Sequence, residues 1–101
     1  MRIILMYDLP MLTSSDRRIY RRFHKDLLDA GFVHMQHSIY TKLVLNATQR
    51  IRYESYVRSR APEKGSIVLL SITERQYSQM DFVIGTRQTR TLQSDDRLVL
   101  W

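Results

Sequence analysis

Asp8 stands at the carboxyl end of the apolar run Ile3–Tyr7 with Leu9-Pro10 behind it, which puts one carboxylate at the mouth of a buried strand. Two uses are open to it. An Asx turn spends the side chain on its own backbone. A hard divalent cation such as Mg²⁺ takes it as an oxygen ligand and fills its remaining positions with water and substrate phosphate. One aspartate is thin for the second purpose, and a two-fold axis through the sheet would supply Asp8 from each of two chains. A metal held there would polarise a phosphodiester and activate water. Without it the two carboxylates repel, so both metal binding and activity favour the deprotonated pair.

The second chemical feature is cationic. Sixteen Lys and Arg against ten Asp and Glu give a formal charge of +6, and all but Lys25, Lys42 and Lys64 of those cations are arginine. Arginine's planar donor fork suits phosphate oxygens. Arg17, Arg18, Arg21 and Arg22 with Lys25 crowd about two helical turns, partly balanced by Asp26 and Asp29. The alternative is a solvated face, but four arginines in six residues exceed what solubility requires. Phosphate contacts are therefore expected there, of the kind that position nucleic acid without reading its sequence.

Other candidates are weaker. His24, His34 and His37 lack zinc-ligand spacing, and packed or surface roles are expected of them. Asp95-Asp96 is expected to be a solvated turn, because adjacent side chains on an extended segment point apart. Without cysteine there is neither a disulfide framework nor a thiolate site. The six tyrosines fall mostly on core-facing positions, which argues against base stacking. The apolar run after Met1-Arg2 is shorter than the roughly 7–15 residues of a signal-peptide core, and nothing approaches a membrane span of roughly 18 residues. A cytoplasmic protein is expected.

The elements that must carry these residues follow from periodicity. A strand over Ile3–Tyr7 leads to a helix capped by Ser14 or Ser15, with Ile19, Tyr20, Phe23, Leu27 and Ala30 on one face and Arg18, Arg21, Arg22 and Lys25 nearly opposite. Gly31 ends it. Phe32–Met35 and Ile39–Leu45 suit two strands with a tight connection. Asn46 caps a second helix that stops before Pro62. Ser66–Thr73 is a further strand, and Thr73 with Gln76 forms a capping box for one short helical turn. Phe82–Ile84 is a brief strand candidate. Residues 86–97 make a polar loop, and Leu98–Trp101 a short C-terminal strand, placed preferably on a partner's sheet edge. The order is that of a single α+β domain over residues 1–101, a ferredoxin-like βαββαβ sandwich with an extra C-terminal strand. Strands apolar on both faces leave one sheet face uncovered, and a homodimer, sheet against sheet, covers it.

Taken together, Ile3-Ile4-Leu5-Met6-Tyr7-Asp8-Leu9-Pro10, then Gly31-Phe32 leading to Gln36-His37-Ser38-Ile39-Tyr40, then Gly65–Thr73 with Gln76-Tyr77, resemble the CRISPR-associated Cas-two family, most closely its members from type II systems. The ordered motifs span nearly the whole chain. The resemblance implies a ferredoxin-like homodimer with Mg²⁺ at the dimer axis on Asp8. It implies metal-dependent endonuclease activity on RNA or double-stranded DNA. It also implies a scaffold role beside the Cas-one integrase in acquiring new spacers, a role that does not require cleavage. Two readings compete: a ferredoxin-like RNA-binding module without catalysis, and a small dimer that binds a metabolite. The first lacks stacking aromatics in its Gly-Ser strand; the second gives the arginine-rich helix no purpose.

Overall fold

The computed structural model describes residues 1–85. The expected polar loop over 86–97 and strand over 98–101 lie outside the described residues. Seven elements follow in order: β1 (Arg2–Asp8), α1 (Ser14–Asp29), β2 (Val33–Gln36), β3 (Ile39–Leu43), α2 (Ala47–Arg60), β4 (Ser66–Ile72) and the short α3 (Glu74–Ser78). The sheet runs β2-β3-β1-β4, and β1 pairs antiparallel with both β3 and β4. This is the ferredoxin-like order expected from the sequence. No helix among the described residues is long and apolar enough to cross a membrane.

Period-two alternation divides β1 between two cores. Ile3, Leu5 and Tyr7 point toward the long helices and bury against Phe23 and Leu27 of α1 and Val57 of α2. Ile4 joins Met35 and Tyr77 on the opposite face, flanked by Met6, Ile39, Ile72, Met80 and Phe82. That face is therefore less bare than its apolar strands suggest. Glu74 of α3 accepts from Arg2 Nε at 3.0 Å, and the Arg2 guanidinium lies 4.1 Å over the Tyr77 ring. These contacts fold α3 back over the start of β1. Val68 and Leu70 stay about half exposed on edge strand β4, at 50 % and 49 %.

Several boundaries move for identifiable reasons. Thr13, not Ser14 or Ser15, caps α1, because Asp16 at the third helical position reaches back to the Thr13 N–H while Thr13 Oγ1 accepts from Asp16 N. Ile19 is exposed, while Tyr20, Phe23, Leu27 and Ala30 face the core. Leu45 lies beyond the end of β3 and is 78 % exposed. Phe82–Ile84 is not a strand; Phe82 packs against the second core. Gly31 does end α1: its positive φ lets its N–H reach Leu28 O and the Phe32 N–H reach Leu27 O.

Two packing features fix the end of β1. Tyr7 is clamped edge-on by Tyr20 and Phe23 and stacked on Tyr40 at 5.7 Å. Its hydroxyl shares a 3.2 Å hydrogen bond with that of Tyr40, which also meets His24 Nδ1. His34 stacks on Tyr40 at 4.7 Å and stands edge-on to His24. On the other flank, Gly65 has φ +98°, and a Cβ there would lie 2.6 Å from Asp8 O and 2.7 Å from Leu9 Cδ2.

Both features can be tested by stability. Gly65→Ala combines a left-handed backbone with a collision against main chain, so it should cost more than about 1 kcal/mol in a denaturant titration. His34 is the pH-sensitive element. Burial, then the facing His24 charge, holds its pKa below the ordinary 6.5. Above 6.5 the ring is neutral folded and unfolded, and stability is full. Below 6.5 the unfolded chain takes the proton first, so stability should fall as pH drops toward the folded pKa. His34→Phe should flatten that decline, read as denaturation midpoints between about pH 7.5 and pH 5.

Candidate functional site

Asp8 is the last residue of the central strand β1, opposite Ser66 on β4, and it is solvent-exposed. Its carboxylate takes part in no hydrogen bond or ion pair among the described residues, so the Asx-turn use is not the one adopted. The chain reaches this position by burying Tyr7 and Leu9 on either side of it, which leaves the aspartate side chain only the solvent face. A second segment meets the same end of the sheet: Tyr7 N–H donates to Ser38 O at 3.0 Å. That contact brings the β2–β3 turn, with exposed His37 and with Ser38 at φ +65°, alongside the strand end. No local sequence signal marks this approach, because the turn lacks a glycine at its left-handed residue.

The protein offers a divalent cation one carboxylate per chain here. Among the described residues no three His, Asp or Glu side chains gather as a ligand set. Mg²⁺ takes one or two carboxylates and keeps several waters, so a free, exposed Asp8 fits half of such a site and a second copy would complete it. Tyr7 and Tyr40 are not candidate bases. Burial, foremost, raises both phenols above their ordinary value, so they stay protonated.

The five cationic residues of α1 separate into two groups. Arg17 Nη1 donates to the carbonyls of Met11 and Leu12, at 3.2 and 3.4 Å, and so braces the loop that follows Asp8. Lys25 pairs with Asp29 at 2.8 Å, which raises its pKa. Arg18, Arg21 and Arg22 are exposed and form no ion pair among the described residues, so their guanidinium groups are open to phosphate. The histidines behave as packing groups: His24 and His34 belong to the tyrosine cluster, and they meet because α1 packs beside β2, not because of their spacing.

The comparisons agree with this architecture. Residues 1–80 match the family model described as CRISPR associated protein Cas2. The chain is 40 % identical to a CRISPR-associated endoribonuclease Cas2 of Treponema denticola, across 99 % of both chains. It is 42 % identical to one of Streptococcus mutans serotype c, across 98 % of this chain and 91 % of that relative. The crystal structure of Streptococcus pyogenes Cas2 at pH 6.5 shares the fold at a TM-score of 0.61 and 16 % identity, covering 80 % of this chain and 96 % of that one. With the family match, the near full-length relatives and the shared fold in agreement, this chain belongs to the CRISPR-associated Cas2 family.

Proposed function

We propose that this chain is a CRISPR adaptation subunit: a cytoplasmic homodimer that binds double-stranded DNA, acts beside the Cas-one integrase in acquiring new spacers, and carries an Mg²⁺-dependent endonuclease site at its two-fold axis. The observation that carries the reading is Asp8, an exposed carboxylate with no partner among the described residues, at the end of the best-buried strand. The name endoribonuclease borne by the relatives supports RNA as a cleavage substrate. The half-exposed Val68 and Leu70 support a dimer, since apolar side chains on an edge strand are readily covered by a second copy. The same two residues disfavour a sheet-based RNA-recognition module, because they supply no aromatic platform for bases.

In this mechanism each Asp8 would contribute one carboxylate to the cation. When bound, Mg²⁺ supplies Lewis-acid stabilisation of phosphate charge. The protein's own residues do the positioning: Tyr7 and Gly65 fix the strand end, and Arg17 braces the following loop. Arg18, Arg21 and Arg22 neutralise backbone phosphates along the helix.

Asp8→Ala should abolish Mg²⁺-dependent cleavage while leaving secondary structure and melting temperature unchanged. Equal cleavage by purified wild type and variant would remove Asp8 from the chemistry without touching the scaffold role. Joint replacement of Arg18, Arg21 and Arg22 by Ala should weaken duplex binding at every sequence. It should also flatten the slope of log affinity against log salt by up to about 3, near one released counterion per phosphate contact. An unchanged slope assigns that helix face to solvent.

A further inference from the structure

The loop between β1 and α1 carries an apolar tip that joins neither core. Leu12 is 90 % exposed, more than any other large apolar residue described, and Met11 is 45 % exposed. A lone leucine in water is ordinary, but the main chain under this one is held at three points. Leu9 before it is buried in the helix-side core. Thr13 after it is locked to Asp16 by reciprocal hydrogen bonds. Between them, Arg17 Nη1 donates to the carbonyls of Met11 and Leu12. The tip is thus displayed in a fixed shape, without the ordering cost that a slack loop incurs on binding. Cations flank it. From Leu9 to Lys25 the one side-chain carboxylate, Asp16, is spent on the Thr13 N–H, against Arg17, Arg18, Arg21, Arg22 and Lys25. The carboxylates of Asp26 and Glu63 line the groove between α1 and the α2–β4 connection, which Met11, Leu12, Arg18 and Arg21 do not line.

A partner for this surface must offer apolar area to the tip and negative charge to its flank. A lipid surface needs more apolar area than two side chains bury. A nucleic-acid duplex supplies both features at one repeat, because the flat faces of stacked bases lie between regularly spaced phosphates. Leucine and methionine are among the side chains that part a base step when pressed into it, and the duplex kinks in response. We propose that Met11 and Leu12 form a wedge that enters one base step of a duplex whose phosphates are held by Arg18 and Arg21, a role that rests on the duplex-binding reading above. The arginines neutralise every sequence alike. The wedge enters most readily where the stack is weakest, at pyrimidine–purine steps such as TA. The chain therefore favours certain steps without reading any base through hydrogen bonds.

The test places 2-aminopurine, whose emission rises when it unstacks, at successive positions around a TA step in a duplex, and adds the full chain without metal. At saturating protein the emission should rise at least twofold at one or two neighbouring positions. Leu12→Ser, at a position already in solvent, should keep the fold and cut that rise at least twofold. The slope of log affinity against log salt should stay unchanged in this variant, because the phosphate contacts remain. Leu12→Met should retain the rise. Joint replacement of Arg18 and Arg21 by Ala should do the reverse, flattening the slope while the rise at saturation persists. Duplex binding without any rise, or a rise that survives Leu12→Ser, would overturn the wedge and leave duplex binding standing; absence of binding would overturn both. Should Leu12→Ser instead dissociate a dimer in sedimentation and leave the emission as it was, the tip belongs to an interface between protein chains and the wedge is overturned.

Discussion

The structure depends on the two-sided burial of β1. Strands are held by main-chain hydrogen bonds at their edges and by side chains on their faces, and β1 is satisfied on all four sides. It pairs with β3 on one edge and β4 on the other, and its alternating side chains enter two separate cores. A slip of one residue would exchange Ile3, Leu5 and Tyr7 with Ile4 and Met6 and empty both cores of their designated partners. The register of the central strand is therefore rigidly specified. Since Asp8 is simply its next residue, the position of this carboxylate is set by packing distant from any substrate.

That arrangement explains why the tyrosine cluster matters although it carries no chemistry. A strand end normally frays, yet here the penultimate residue is a buried tyrosine held by ring contacts and a hydroxyl bond. Burying the hydroxyls of Tyr7 and Tyr40 without partners would cost roughly 1–3 kcal/mol each, so the cluster pairs them with one another and with His24. His24 and His34 are the consequence of that solution, one completing the hydroxyl chain and the other stacking on it. They are polar residues retained by a buried network rather than ligands awaiting a metal.

How much of this was legible in the sequence depends on the range of the interaction involved. Alternation in Ile3–Tyr7 and Ser66–Ile72, the Asn46 cap and the Thr73–Gln76 box are local signals, and the structure uses each of them. The α1 cap was missed by one residue because Thr13, Ser14 and Ser15 are chemically equivalent, and only the reach of Asp16 decides among them. Phe82–Ile84 was misread because an apolar triplet carries no information about whether a strand is free to pair with it. The folding of α3 onto β1 through Arg2 and Glu74 joins residues 72 positions apart, which no local pattern encodes. Asp8 was legible as a strand-end carboxylate; the approach of Ser38 was not, since it arises from segments meeting in space.

The division of labour along α1 follows from the same geometry. Leu27 and Phe23 must face the sheet, so Arg18, Arg21 and Arg22 are carried to the opposite side or its margin by the 100° step of the helix. Arg17 lies within reach of the loop after Asp8 and is bound to its carbonyls, and Lys25 is neutralised by Asp29 one turn on. Five cations that look alike in the sequence thus perform three tasks: bracing a loop, closing a local ion pair, and presenting open charge. The open charge sits on the helix whose N-terminal loop leaves Asp8. On the proposed reading, a phosphate backbone drawn to Arg18, Arg21 and Arg22 would already lie on the element that leads to the carboxylate, so attraction and chemistry would be coupled through one strand–loop–helix unit.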